Sequence, residues 1–205
     1  MIVIQNTSHT VFQENTYFII DNKKALIIDP GDDPGMLIKK IESEKCTVQA
    51  VMATHGHTDH IFAAKPLCEH YECPFIMNST DREWLKEMEN LCLNFGLPYY
   101  GTPVIDIDIA DEQELKAGDF TFHIIHTPGH SPGSVCFLFD KMLFSGDTLF
   151  YHSVGRCDLP GGDGKVLRRS VREKLFNLPE ETAVYPGHMA ETTIKEEKIN
   201  NPFLQ

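Results

Sequence analysis

The densest run of chemistry-bearing side chains is His55-Gly56-His57-Thr58-Asp59-His60, which begins where the apolar stretch 48–53 ends. Neutral imidazole is the commonest metal-ligand side chain. In an extended segment residues two apart point the same way, so His55 and His57 can clasp one ion. Thr58 is placed to cap a following helix, which would turn Asp59 and His60 toward a neighbouring position. Gly56 removes a side chain where the loop must curve tightly. The bland alternative has three histidines fringing a strand and facing solvent, but histidines seldom crowd together without an ion to hold.

Three more ligand-type residues stand alone: His130 after Pro128-Gly129, Asp147 after Ser145-Gly146, and His188 after Pro186-Gly187. Each follows an apolar run and a glycine turn. Taken singly, each reads as a surface turn residue. Their recurrence at three strand ends gathers them at one edge of the sheets, with the Asp147 carboxylate suited to bridge two cations. A single bound zinc already lowers the pKa of water from about 15.7 to about 7, so a pair would supply hydroxide near neutral pH. Attack on a carbonyl would then need no serine or cysteine nucleophile. Thioesters suit such a site, because a thiol with a pKa of about 8.5 departs without a dedicated acid. Asp59 is the expected catalytic group, orienting the nucleophile or helping to ligate the second ion. The expected cofactors are two divalent metal ions; zinc is favoured, and His/Asp donors also accept iron or manganese.

Two decoys fall away on local context. Gly129-His130-Ser131-Pro132-Gly133 fits G-x-S-x-G, but the β-rich residues 134–139 follow where a nucleophile elbow needs a helix, so Ser131 is a turn residue. The Gly161–Lys165 loop fails as a phosphate loop, because Val166 stands where a magnesium-binding Ser or Thr is required.

Positioning these residues requires strands that end together. Runs 17–21 and 25–29 read as strands joined by the turn Asp21-Asn22-Lys23-Lys24, and 36–44 has helical spacing. A buried strand over 48–53 and a helical stretch over 61–70 follow. Residues 80–100 read as one or two helices ending at Gly96 and Pro98, with Tyr99 and Tyr100 flanking a pocket or filling core. Strands at 120–126, 134–139 and 142–144, a glycine-rich loop at 161–164, a helix near 166–176, a strand at 182–185 and a terminal helix complete the chain. Two successive β-then-α blocks predict an α/β fold of two packed sheets with helices on the outer faces. No linker or repeat divides residues 1–205, so one domain is expected.

The charge balance, 30 acidic against 18 basic residues for a net of −12, argues against nucleic acid as the main partner. The first residues carry no secretory signal, and no stretch is apolar enough to span a bilayer. Six cysteines without a CxxC pair fit reduced thiols in the cytoplasm. A small-molecule substrate is therefore expected, with no membrane partner. Lys165, Arg168, Arg169 and Arg172 form a basic run on a predicted helix, which reads as a solvated face or as substrate steering. His9, His70, His123, His126 and His152 receive no role.

The ordered set His55-x-His57-x-Asp59-His60, His130, Asp147 and His188 resembles the metallo-β-lactamase fold superfamily. The resemblance implies an αββα four-layer sandwich with a dinuclear site. In that pattern His55, His57 and His130 hold the first metal, Asp59, His60 and His188 the second, and Asp147 bridges them. Within the superfamily the chain is similar to the glyoxalase II (hydroxyacylglutathione hydrolase) group, particularly its short bacterial members. The matching pieces are Gly146-Asp147-Thr148-Leu149-Phe150, the stretch from Val154 through Arg156-Cys157-Asp158 to Gly162, and Asn201-Pro202-Phe203-Leu204. Such members hydrolyse S-D-lactoylglutathione to lactate and glutathione. The chain departs from the longer ones, whose C-terminal helical domain supplies glutathione contacts. Arg156 stands about where those enzymes place a basic glutathione contact, and its alternative is a structural salt bridge. The rival enzyme is a persulfide dioxygenase with one iron, which shares Gly155-Arg156; a hydrolase of another thioester or a lactone is the next. A non-catalytic metal-binding module would lack ligands, and here all seven positions are filled.

Overall fold

The computed structural model describes residues 1–205, which group into two compact units: 1–110 with 117–120, and 111–116 with 121–205. The first unit contains β1 (Ile2–Thr7), β2 (Asn15–Asp21), β3 (Lys24–Ile28), α1 (Pro34–Ser43), β4 (Thr47–Met52), α2 (Thr58–Ile61), α3 (Ala64–Tyr71), β5 (Phe75–Met77), α4 (Arg82–Asn94) and β6 (Ile107–Asp108). Its sheet runs in chain order, β1 to β6, antiparallel across the first two pairs and parallel thereafter. The β2–β3 turn works because Asn22 and Lys23 both adopt positive φ, 47° and 61°, the pattern that matches strand twist in a two-residue hairpin. Helix α1 starts where Asp33 accepts from the Met36 N–H, with Pro34 in the first turn. It buries Leu37 and Ile41 with Leu67 of α3 and Leu85 of α4 against sheet residues such as Phe18 and Val51.

Two local expectations need correction here. The single helix foreseen over 61–70 is two pieces, α2 and α3, interrupted at residues 62–63. Thr58 does not cap it: His57 occupies the cap position, and Thr58 is the first helical residue. β1, β5 and β6 lay outside the sequence reading. β1 is half-buried and held by pairing with β2 (Ile2 opposite Ile20), so its amphipathic pattern was weak.

The second unit's sheet has the order β14-β13-β10-β9-β8-β7. It is built from β7 (Glu114–Ala117), β8 (Phe120–His126), β9 (Val135–Phe139), β10 (Met142–Gly146), β13 (Ala183–Pro186) and β14 (Thr192–Thr193), while β11 (Leu149–Phe150) and β12 (Ser153–Val154) form a separate ribbon. Helix α5 (Gly164–Glu173) begins two residues earlier than the sequence suggests, because Asp163 caps it through the N–H groups of Lys165 and Val166. Its Val171 joins Cys136, Leu143, Val184 and Ile194 in this unit's core. After helix α6 (Ile194–Asn200) the chain end is clasped. Buried Glu197 accepts from Thr192 Oγ1 (2.6 Å), the His152 N–H (3.0 Å) and Asn201 Nδ2 (2.7 Å). Arg172 donates to the Leu204 and Gln205 carbonyls at 3.0 and 2.8 Å, so at least one member of the basic run is a structural tie. No helix is long and apolar enough to cross a membrane.

Candidate metal centre

In the first unit, β4 ends at Met52 and delivers His55 and His57 from the loop behind it. His55 Nε2 and His57 Nδ1 lie 3.0 Å apart, both buried, converging as two donors to one ion would. The remaining His55 nitrogen, Nδ1, faces Thr54 Oγ1 at 3.0 Å. Gly56 is needed for a different reason from the curvature expected of it. A Cβ there would sit 2.8 Å from the Asp81 carbonyl, and the Gly56 N–H donates to the Asp81 carboxylate at 3.0 Å. The 3-10 turn Ser79–Asp81 thus presses onto the ligand loop. One turn on, α2 carries Asp59 and His60, with Asp59 Oδ2 3.9 Å from His60 Nε2.

His60 exposes a residue that sequence reasoning missed. Asp29, 1% exposed, accepts from the Thr54 N–H and Thr54 Oγ1 (both 2.7 Å) and faces His60 Nδ1 at 3.0 Å. It thereby fixes the His60 ring and the Thr54 hydroxyl that meets His55, the supporting arrangement typical of metal-site histidines. The signal was partial: Asp29 closes an apolar run, but it precedes its Pro30-Gly31 turn where His130, Asp147 and His188 follow theirs, and its φ of 50° is a turn conformation that aspartate tolerates. Glu14 lies beside this pair, fully buried. Burial pushes its carboxyl well above the usual range; His60 opposes the rise, and Asp29 and Asp59 add to it.

In the second unit, the three ligand-type residues come from three separate strand ends. His130 Nε2 and His188 Nε2 lie 3.4 and 3.6 Å from the same Asp147 oxygen, Oδ2. His130 Nδ1 faces the Arg156 main-chain carbonyl at 2.7 Å, leaving Nε2 for a ligand. That carbonyl is in place because Gly155 runs against Asp147: a Cβ there would lie 1.9 Å from the Asp147 carbonyl. The Arg156 side chain points elsewhere, forked onto Asp158 with bonds of 2.7 and 2.8 Å, and the pair is exposed. Ser131 is buried, bonded to Ser134, and followed by β9, so the elbow decoy is indeed a turn. His9, His70, His123 and His152 each meet a carboxylate, and His126 meets a backbone carbonyl.

Comparison with known proteins gives this donor set its context. The metallo-beta-lactamase superfamily matches residues 9–188. The chain belongs to that superfamily. The mixed α/β fold with two sheets read from the sequence is the superfamily's, and the chain is a metal-dependent hydrolase of that class. A superfamily relative from Haemophilus influenzae, hydroxyacylglutathione hydrolase GloC, is 38% identical over 200 residues, covering 95% of this chain and 94% of that protein. Among solved structures, the BLEG-1 B3 metallo-beta-lactamase is similar with a TM-score of 0.93 and 38% identity over the whole of both chains. TTHA1623 in a di-iron-bound form is similar with a TM-score of 0.87 and 35% identity, again over both whole chains. The metallo-β-lactamase fold implies a two-metal site with His and Asp ligands. The residues fit that demand: His55, His60 and His130 each have one ring nitrogen engaged by a neighbour while the other meets a second ligand-type side chain.

Proposed function

We propose that this chain is a dinuclear-metal thioesterase of glyoxalase II type, cleaving S-D-lactoylglutathione or a related glutathione thioester, with residues 1–205 working as one hydrolase domain. His55, His57 and His130 would hold one ion, Asp59, His60 and His188 the other, with Asp147 shared. The observation that carries the reading is the paired support of the imidazoles, each tied on one nitrogen and offering the other, within a chain 38% identical to a hydroxyacylglutathione hydrolase along nearly its full length. Bound there, the ions would supply an activated water and polarise the scissile carbonyl.

The protein's own groups do the rest. Asp59, with 18% of its side chain exposed, can orient the attacking water while helping to ligate. Asp29 and the Arg156 carbonyl hold the His60 and His130 rings, so that little reorganisation is needed during reaction. The leaving thiolate is stable enough to depart without a side-chain acid. Arg156 would contact a substrate carboxylate by exchanging its Asp158 partner, a swap its exposure permits. Zinc is the proposed metal, and the di-iron form of TTHA1623 makes iron its rival. Six free cysteines support a reducing, cytoplasmic setting.

The resemblance to BLEG-1 supports a second reading, hydrolysis of β-lactam amides. The test is steady-state turnover of S-D-lactoylglutathione by zinc-loaded protein against chelator-treated protein, beside a chromogenic β-lactam and glutathione persulfide with an oxygen electrode. Rapid metal-dependent thioester cleavage is expected. Metal-loaded protein that consumes only the β-lactam, or only persulfide and oxygen, would overturn the thioesterase reading.

A further inference from the structure

Away from the ligand set, the first unit brings two thiols together. Helix α3 ends in a left-handed residue, Glu72, with φ 50°, and the Cys73 N–H turns back to the Cys68 carbonyl at 3.2 Å. This six-to-one bond is the mark of a Schellman turn and sets residues five apart side by side. The side chains follow: both thiols line the same cleft and are close enough to shift each other's acidity. Both are half-buried and line an open cleft of about 560 Å³ with Lys65, Phe75, Val104 and Asp106. The remaining cysteines are differently placed. Cys46, Cys136 and Cys157 donate to backbone carbonyls, and Cys92 is buried.

We propose that Cys68 and Cys73 form a dithiol redox site that exchanges with low-molecular-weight disulfides entering this cleft. Lys65 shares the lining with three carboxylates, Glu69, Glu72 and Asp106, so the cleft does not select an anionic reagent; the Lys65 side chain is 40% exposed and makes only a loose contact, 4.0 Å, with Glu69. The Cys73 thiolate attacks one sulfur of the reagent RSSR, forming a Cys73–SR mixed disulfide and expelling RS⁻. Cys68 gives its proton to the expelled thiolate and attacks the Cys73 sulfur, releasing a second RS⁻, which takes up from solvent the proton that Cys73 had lost. Two protein thiols are oxidised and one disulfide is reduced to two small thiols. The order follows from the pair: the neighbouring Cys68 lowers the Cys73 thiol below its ordinary value, while Cys73 and burial raise Cys68. A disulfide spans about 4.4–6.8 Å between Cα atoms, and a turn that folds residue 73 back onto residue 68 supplies that proximity. The site needs no metal, so it stands apart from the thioesterase reading.

The test treats metal-loaded, full-length protein with glutathione disulfide, counts thiols after denaturation, and maps linked peptides by mass spectrometry. Two of the six thiols should disappear, with Cys68 and Cys73 joined, and excess glutathione should restore them. Cys68→Ser should stop at a mixed disulfide on Cys73, and Cys73 should react about tenfold faster than Cys46. Survival of all six thiols, linkage to another cysteine or between chains, or a Cys73 no faster than Cys46 would overturn the proposal.

Discussion

The two units hold their ligand-type residues by opposite means. In the first, four such residues crowd one short loop and helix, and side chains support them: Thr54 beside His55, Asp29 beside His60, Asp81 on the Gly56 N–H. In the second, His130, Asp147 and His188 arrive from separate loops, and the main chain supports them, through the Arg156 carbonyl and the close pass of Gly155. A contiguous motif has little chain in which to build support, so it borrows side chains from neighbouring strands. Scattered ligands each sit on their own strand end, and the backbone between them can be the brace.

The harshest test of the comparison removes a ligand outright. His57→Ala is expected to lower kcat/KM by about a thousandfold or more, the several kcal/mol that metal-assisted stabilisation supplies, with a parallel loss of bound metal. Full activity in that variant would overturn the metal assignment. Next in size is the first unit's side-chain brace. Asp29→Ala should cost about 10–100-fold in metal affinity or turnover, as measured by metal titration of the folded variant. A loss no larger than that of a surface aspartate would show that the His60 ring needs no such support.

The main-chain brace breaks differently. Gly155→Ala must push its methyl into the Asp147 carbonyl, so the loop has to shift and the fold should lose about 1–3 kcal/mol in denaturant unfolding. Metal content should fall as well, because the Arg156 carbonyl moves with it. Wild-type stability and metal content would mean that the second unit's ligands are not held by the backbone.

This contrast also explains what the sequence could reveal. His55 through His60 was legible as chemistry because ligand types repeat at short spacing, and the strand-then-glycine pattern exposed His130, Asp147 and His188. Asp29 also closes an apolar run but precedes its glycine turn instead of following one, and an aspartate before Pro-Gly reads as an ordinary turn. The α2–α3 break was hidden, since apolar spacing continues across residues 62–63, and the role of Gly155 depends on an approach between segments that no local pattern encodes. Asn201-Pro202-Phe203-Leu204, a family signature in the sequence, proves structural: Asn201 bonds Glu197 and the Ser153 carbonyl.

A smaller effect tests the side-chain style of the first unit in its loops. Burial alone would raise the Asp32 carboxyl, but bonds from the His9 ring, the Asp33 N–H, Asn6 and the His9 N–H hold it below the usual carboxylate range. Its folded pKa is therefore below its unfolded one, so its stabilising contribution is complete above about pH 4 and is lost as pH falls through the folded value. Asp32→Asn should flatten the acid limb of a stability–pH curve and leave the neutral plateau's slope unchanged. An acid limb identical to wild type would remove Asp32 from the account.

The smallest expected change is the sharpest discriminator between the two bracing styles. Arg156→Ala deletes an exposed guanidinium that the structure pairs with Asp158, yet keeps the backbone carbonyl that meets His130. Exposed pairs contribute little to stability, so the thermal midpoint and metal content should match wild type. A contact to the substrate carboxylate would surface only as a severalfold rise in KM at unchanged kcat, the signature of lost uniform binding. Should metal content fall instead, the side chain rather than the main chain would be holding His130, and the two units would be braced alike.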